Sequence, residues 1–273
     1  MKKLLFILGI AAVCGCSGNR NVNGFPDVAL GDGTVVVAHR GYWKCEAAGF
    51  SENSIASLKA AQQIGCWGSE CDIRLTRDGV VIVNHNADIN GKPISGTDFA
   101  DITEDLLPNG ERRPTLDEYL DQAAAGFPGT KLVIELKALD NEEMESVMVD
   151  KTFAALKDHN VYDPQNIVFI SFSKFMCDRI AAEAPEFVNQ YLSGDITPGQ
   201  LAAEGINGID YNEKVLKEHP EWIAECKELG MSTNVWTVNK EEDIRFFIEK
   251  GVGAITTNEP ELAAGIIAGA EAE

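Results

Sequence analysis

The stretch KLVIELKALDNEEMESVMVDKTFAALKDHNVYDPQNIVFIS, residues 131–171, reads as strand, helix, strand. Residues 131–136 form a short run of branched apolar side chains, too short for a helix and right for a buried strand. Residues 142–158 form a long amphipathic helix, and residues 167–171 return to a branched apolar run. A strand, a crossover helix and a second strand make a parallel unit. The same alternation continues outward in both directions. Upstream lie a strand at 34–38 (TVVVA), a helix at 54–64 with Asn53 as its N-cap, and a strand at 67–75. The run 80–83 (VVIV) extends that second strand past a turn at Asp78-Gly79, and a helix follows at 115–124. Downstream come a helix ending at 184, then strands at 187–192, 208–211, 232–237 and 253–256. Helices at 198–204, 221–229, 240–250 and 259–268 alternate with them.

That count gives eight β-then-α units, and eight units argue closure into a (β/α)₈ TIM barrel. A doubly wound open sheet has fewer strands and usually a Gly-rich phosphate loop after the first, and no GxGxxG follows residues 34–38. Length agrees, because 273 residues with 45% hydrophobic content suit one large core. Residues 93–114 are the one long irregular stretch, a short excursion over the barrel mouth after the second strand. The barrel is expected over 34–268, with a frayed tail at 269–273.

The N-terminus reads as a targeting signal. Lys2 and Lys3 precede a short apolar run from Leu4 to Val13, and Gly15 precedes Cys16. The run is too short to span a bilayer and has the layout of a secretory leader. Its ending resembles a bacterial lipobox, which makes 1–15 a lipoprotein signal peptide and Cys16 the acylated residue, with Cys14 as runner-up. An ordinary cleaved leader is the plainer alternative. Residues 16–33, rich in Gly, Asn and Asp, read as a tether. The chain is therefore expected to cross the inner membrane and stay lipid-anchored to the cell envelope, on its periplasmic or surface face. Cys45, Cys66, Cys71, Cys177 and Cys226 are odd in number and form no CxxC, so they imply neither a zinc site nor a disulfide framework.

A formal charge of −20 argues against a nucleic-acid partner. An acidic protein that binds an anion needs local positive charge, and a divalent cation supplies it while neutralising clustered carboxylates. In a barrel the chemistry sits where strands end. Those places hold His39-Arg40-Gly41, Glu70-Cys71-Asp72, Asn84-His85-Asn86, Glu135-Leu136-Lys137, Trp236 and Thr257-Asn258. Glu70 and Asp72 are two apart in a strand and point the same way. With Glu135 they make an all-oxygen site suited to Ca²⁺ or Mg²⁺; the plainer reading is an ion network with Lys137 or Arg40. His39 and His85, two of four histidines, suit the acid and base of a hydrolysis, although either could be a satisfied loop residue. Arg40 can fork onto a phosphate, and Lys137 can add a point charge.

These residues, in this order, resemble the glycerophosphodiester phosphodiesterase family. The likeness runs through His39-Arg40-Gly41, then Glu52-Asn53-Ser54, with Ser51 where the family has Pro. It continues through Glu70-Cys71-Asp72-Ile73, Thr76-Arg77-Asp78-Gly79, His85 and Pro114-Thr115-Leu116 to Glu135-Leu136-Lys137 and Trp236-Thr237-Val238-Asn239. It covers Val36 to about Pro260. The resemblance implies a (β/α)₈ barrel, one divalent cation on Glu70, Asp72 and Glu135, and acid–base catalysis by His39 and His85. It further implies phosphate binding by Arg40 and Lys137, a site-lining Glu52, and Trp236, Phe172 and Tyr211 packing the alcohol portion; for Trp236, core packing is the other reading. The implied reaction is hydrolysis of a small glycerophosphodiester to glycerol 3-phosphate and an alcohol. Rival expectations are a lysophospholipid, inositol or wall-polymer phosphodiester as substrate, or a non-catalytic binding lipoprotein. Two departures stand out: Asn86 follows His85 where the family often has Asp, and residues 87–113 do not follow the common form.

Overall fold

The computed structural model describes residues 33–270. The leader at 1–15, Cys16 and the tether, apart from Gly33, lie outside the described residues, as do 271–273. Eight parallel strands form the barrel: β1 Val35–Ala38, β2 Gly68–Leu75, β3 Lys131–Leu136, β4 Ile167–Ser171, β5 Val188–Tyr191, β6 Gly208–Asn212, β7 Ser232–Trp236 and β8 Ala254–Thr257. Each pairs with its sequence neighbour, and β1 pairs with both β2 and β8. That last pairing closes the sheet and excludes the open doubly wound alternative.

The helices are α1 Ile55–Gln63, α2 Leu116–Gly126, α3 Glu142–Asp158, α4 Lys174–Glu183, α5 Pro198–Ala203, α6 Glu213–Glu218, α7 Glu221–Leu229, α8 Glu241–Glu249 and α9 Pro260–Ala270. None among the described residues is long and apolar enough to cross a membrane. The helix α9 runs past the expected limit at 268. Residues 81–83 pair antiparallel with the end of β2, so they fold back on that strand instead of prolonging it. The turn at Asp78-Gly79 reverses the chain, with Gly79 at φ 79°. The excursion is more ordered than expected. Asp88–Ile89 and Lys92–Pro93 form a small antiparallel ribbon, and Ile82, Ile89, Ile94 and Ile102 bury one another beneath it.

Alternation along the strands sorts side chains into two cores. Cys71, Ile73, Leu132, Ile134, Leu136 and Phe169 face outward under the helices. There the rings of Phe153, Phe169 and Phe187 pack at a tilt, with centroids 5.6 and 5.2 Å apart. Val37, Val133, Val168, Ile170 and Val188 fill the lumen. The lumen also holds polar pairs, with Gln190 donating to Ser232 Oγ (3.0 Å) and Asn234 to Thr256 Oγ1 (2.9 Å). All five described cysteines are free, and four of them are buried.

Two consecutive left-handed residues, Arg40 at φ 56° and Gly41 at φ 75°, turn the chain sharply off β1. A Cβ on Gly41 would lie 2.4 Å from Ser57 Oγ and 2.7 Å from the Ser57 backbone carbon, at the start of α1. Gly41→Ala is therefore expected to cost about 2–4 kcal/mol of stability, from strain plus the clash. Urea unfolding would measure it; a variant as stable as the parent would show that this turn relaxes freely.

Candidate active site

The parallel register of β2 against β3 sets Asp72 opposite Glu135. With Glu70 two residues earlier on the same face, each of the three carboxylates brings an oxygen within 4.8 Å of the others. All three are buried. Three acids at this spacing repel one another and lose hydration, so each must be compensated or neutral.

The compensation is uneven. Asp72 has the richest set: Asn53 Nδ2 donates to its Oδ2 (2.7 Å), Lys137 Nζ donates to its Oδ1 (3.1 Å), and Arg40 Nε lies 3.6 Å away. Burial raises its pKa, but Lys137, His85, Asn53 and Arg40 outweigh burial and hold it down at about 2. Glu135 makes a 2.7 Å ion pair with Lys137, yet burial and the Asp72 charge push it up to about 7. Glu70 accepts the Arg40 backbone N–H at 2.7 Å through Oε2, while its buried Oε1 has no hydrogen-bond partner. Burial first, then Asp72 and Glu135, raise its pKa well above the carboxylate range. An orphaned carboxylate oxygen facing two further acids fits a hard cation, and the donor set, all oxygen, excludes a thiolate-loving metal.

The strained turn after β1 serves this arrangement, because the left-handed Arg40 aims its N–H at Glu70. The Arg40 guanidinium is held by Glu52, with Nη1 donating to Oε2 at 2.8 Å; the Glu52 side chain is 39% exposed and faces the mouth. Both histidines stand on this rim within electrostatic reach of Asp72 and of each other. His39 is brought down to about 4 by burial and then by Arg40. His85 is half-buried and is lowered by burial, Lys137 and Arg40, against the upward pull of Asp72. Its backbone carbonyl accepts both Arg74 Nε (2.9 Å) and Nη2 (2.7 Å), which fixes the loop that carries it.

Trp236 stands edge-to-face with Phe172 at 5.6 Å, and its indole donates to the Asp210 carbonyl at 3.0 Å. These two rings form an apolar wall beside Lys137, whose Nζ lies 6.0 Å from the Phe172 centroid. Tyr211 is a correction. Its side chain faces outward, is fully buried, and donates its hydroxyl to Ile196 O at 2.6 Å, because an odd step along β6 points away from the lumen. Asn53 is another. Ser54 caps α1, with Ser57 completing a capping box. Asn53, left-handed at φ 54°, instead clasps Asp72 by accepting its N–H (3.1 Å) and donating to its carboxylate. A side-chain amide beside a helix start looks like a cap in sequence, and only the fold shows what it faces. His159 bridges Asp117 and Asp121, and His219 stacks on Trp222, both away from the rim.

The model of the glycerophosphoryl diester phosphodiesterase family matches residues 39–262. A glycerophosphodiester phosphodiesterase of Caldanaerobacter subterraneus subsp. tengcongensis is 27% identical over 255 residues, covering 86% of this chain and 98% of that protein. The crystal structure of a glycerophosphodiester phosphodiesterase from Parabacteroides distasonis superposes with a TM-score of 0.84 at 38% identity, covering 89% of this chain and 99% of that one. An Oleispira antarctica phosphodiesterase, solved in complex with the product sn-glycerol-3-phosphate, shares the fold at a TM-score of 0.73 and 24% identity, covering 86% and 96% of the two chains.

Proposed function

Since the chain belongs to the glycerophosphoryl diester phosphodiesterase family, we propose that it hydrolyses small glycerophosphodiesters to glycerol 3-phosphate and a free alcohol, as a cation-dependent enzyme with two catalytic histidines. The convergence of Glu70, Asp72 and Glu135 on one gap, with both imidazoles in electrostatic reach of Asp72, carries this reading. Glu70, Asp72 and Glu135 would hold Ca²⁺ or Mg²⁺. Once bound, the cation neutralises these carboxylates and draws charge from the phosphoryl group.

The chain's own groups supply the rest. Lys137 and the Arg40 guanidinium meet the phosphate oxygens, and Glu52 keeps the guanidinium turned into the mouth. Their charges stabilise the additional negative charge of a pentacoordinate transition state. One histidine removes a proton from the attacking oxygen, of water or of the neighbouring glycerol hydroxyl, and the other returns one to the leaving alcohol. Phe172 and Trp236 pack against the alcohol portion. The test is glycerol 3-phosphate release from glycerophosphocholine, with Ca²⁺ and Mg²⁺ compared side by side. No release with either cation would remove this reading.

The anchoring expectation is a proposal of the same kind. A chain exported and acylated at Cys16 would carry radiolabelled palmitate in growing cells and lose it completely in a Cys16→Ser variant. Label retained by that variant would mean that the acyl group sits elsewhere.

A further inference from the structure

We infer that Trp43 and Asn258, acting together, set the tautomer of His39, so that this imidazole enters the reaction with its proton on Nδ1 and its Nε2 lone pair available as the base. The inference rests on the hydrolytic reading only for its effect on rate; the tautomer itself can be observed without turnover.

The argument is one of donors and acceptors. Trp43 Nε1 lies 3.0 Å from Asn258 Oδ1. An indole nitrogen can only donate. Were the Asn258 amide turned over, its NH₂ group would face that N–H, and two donors would abut with nothing between them. The indole therefore fixes which end of the amide is oxygen, a choice that shape alone leaves open. The same oxygen lies 2.9 Å from His39 Nδ1. A carboxamide oxygen cannot donate, so in the neutral ring the proton must sit on Nδ1. Burial and Arg40 bring the His39 pKa down to about 4, which favours the neutral ring that this bonding requires.

The backbone that carries the amide is also pinned. The Asn258 backbone N–H donates to Asn239 Oδ1 at 2.8 Å, and that oxygen also accepts from Thr257 Oγ1 at 3.2 Å. The indole is pinned in turn by its neighbours, since Tyr42 donates its hydroxyl to Glu261 Oε2 (2.8 Å) and Lys44 pairs with Glu259 at 2.7 Å. Three successive residues after β1 are thus tied to the segment after β8. The two ends of the barrel's closing seam meet at the proton-bearing nitrogen of His39. Asn258 and Trp43 are positioning residues; neither needs to touch substrate.

The experiment is long-range ¹⁵N–¹H NMR on the full chain labelled at histidine, at pH 8, with the His39 signal identified by its loss in His39→Asn. The unaltered protein is expected to give the Nδ1–H form alone. Asn258→Leu is expected to lose that form and to lower kcat about 100-fold, within the range of a misplaced general base. Asn258→Asp still accepts from both neighbours and should retain the Nδ1–H form. Trp43→Phe frees the amide and should give both tautomers, with kcat reduced about threefold to tenfold and KM unchanged. An Nε2–H form in the unaltered protein would overturn the inference. So would a pure Nδ1–H form in Asn258→Leu or, should that variant not fold, in Trp43→Phe. Loss of all hydrolysis in the unaltered protein together with an observed Nδ1–H form would strike the proposed function and leave the tautomer standing.

Discussion

Glu70→Gln is expected to lower kcat/KM for glycerophosphocholine by about 10³-fold, roughly 4 kcal/mol of transition-state stabilisation, and excess chelator should do the same to the unaltered protein. Glu70 Oε2 takes the Arg40 N–H, which leaves Oε1 as its free donor to a cation. A glutamine keeps the Arg40 bond through its carbonyl and turns an NH₂ group, a donor, into the gap. Cation binding is thereby lost without loss of volume. Two further readouts separate this from unfolding. In chelator, Glu70 is a buried carboxyl already pushed toward neutrality, so the neutral glutamine should melt no lower than the parent and up to a few degrees higher. Cation affinity of the parent should also rise with pH. Glu135 titrates at about 7 and Glu70 above the usual range, so at lower pH both hold protons that the cation must displace. Calorimetry at pH 6 and pH 8 should therefore give the tighter binding at pH 8. Calcium-stimulated activity in Glu70→Gln equal to the parent's would sink the assignment of these three acids.

Much of this arrangement was legible in the chain before its fold. Lys131–Leu136, Glu142–Asp158, Ile167–Ser171 and Glu221–Leu229 fall at the predicted limits, because each is a buried face with a clear period bounded by polar residues. Glu70, Asp72 and Glu135 were visible because a strand seldom buries an acid without a partner. What escaped was local geometry and long-range pairing. The helix Glu213–Glu218 is short and is started by Asn212, whose side chain accepts from the Lys214 N–H; a strand end and a helix cap share one residue there, and the period never develops. Asn53 and Tyr211 were misplaced because sequence gives the residue type and not the direction it faces. Asn258 was recognised as polar at the rim, but its bond to His39 joins residues 219 positions apart, and only barrel closure brings them together. Trp43 carries no sequence signal beyond being aromatic.

On the proposed mechanism the two imidazoles would divide the proton work, and this yields the second large effect. His39 is half-buried, burial and Arg40 bring its pKa down to about 4, and its bond to Asn258 is the basis for placing its proton on Nδ1. His85 is half-buried too, and burial, with Lys137 and Arg40, lowers its pKa against the upward pull of Asp72. With His39 inferred as the base, the proposed mechanism leaves His85 as the acid that gives its proton to the leaving oxygen. Its loss must therefore depend on the leaving group. Choline leaves as a strongly basic alkoxide and needs that proton; p-nitrophenolate does not. His85→Ala is expected to lower kcat about 10³-fold on glycerophosphocholine but no more than about tenfold on the p-nitrophenyl ester of glycerol phosphate. His39→Ala should lower both by about the same large factor, because either substrate needs the nucleophile deprotonated. Steady-state kinetics of the two variants on the two esters decide it. Equal losses for His85→Ala on both esters would take the acid role from His85, and a leaving-group dependence seen in His39→Ala instead would exchange the two assignments.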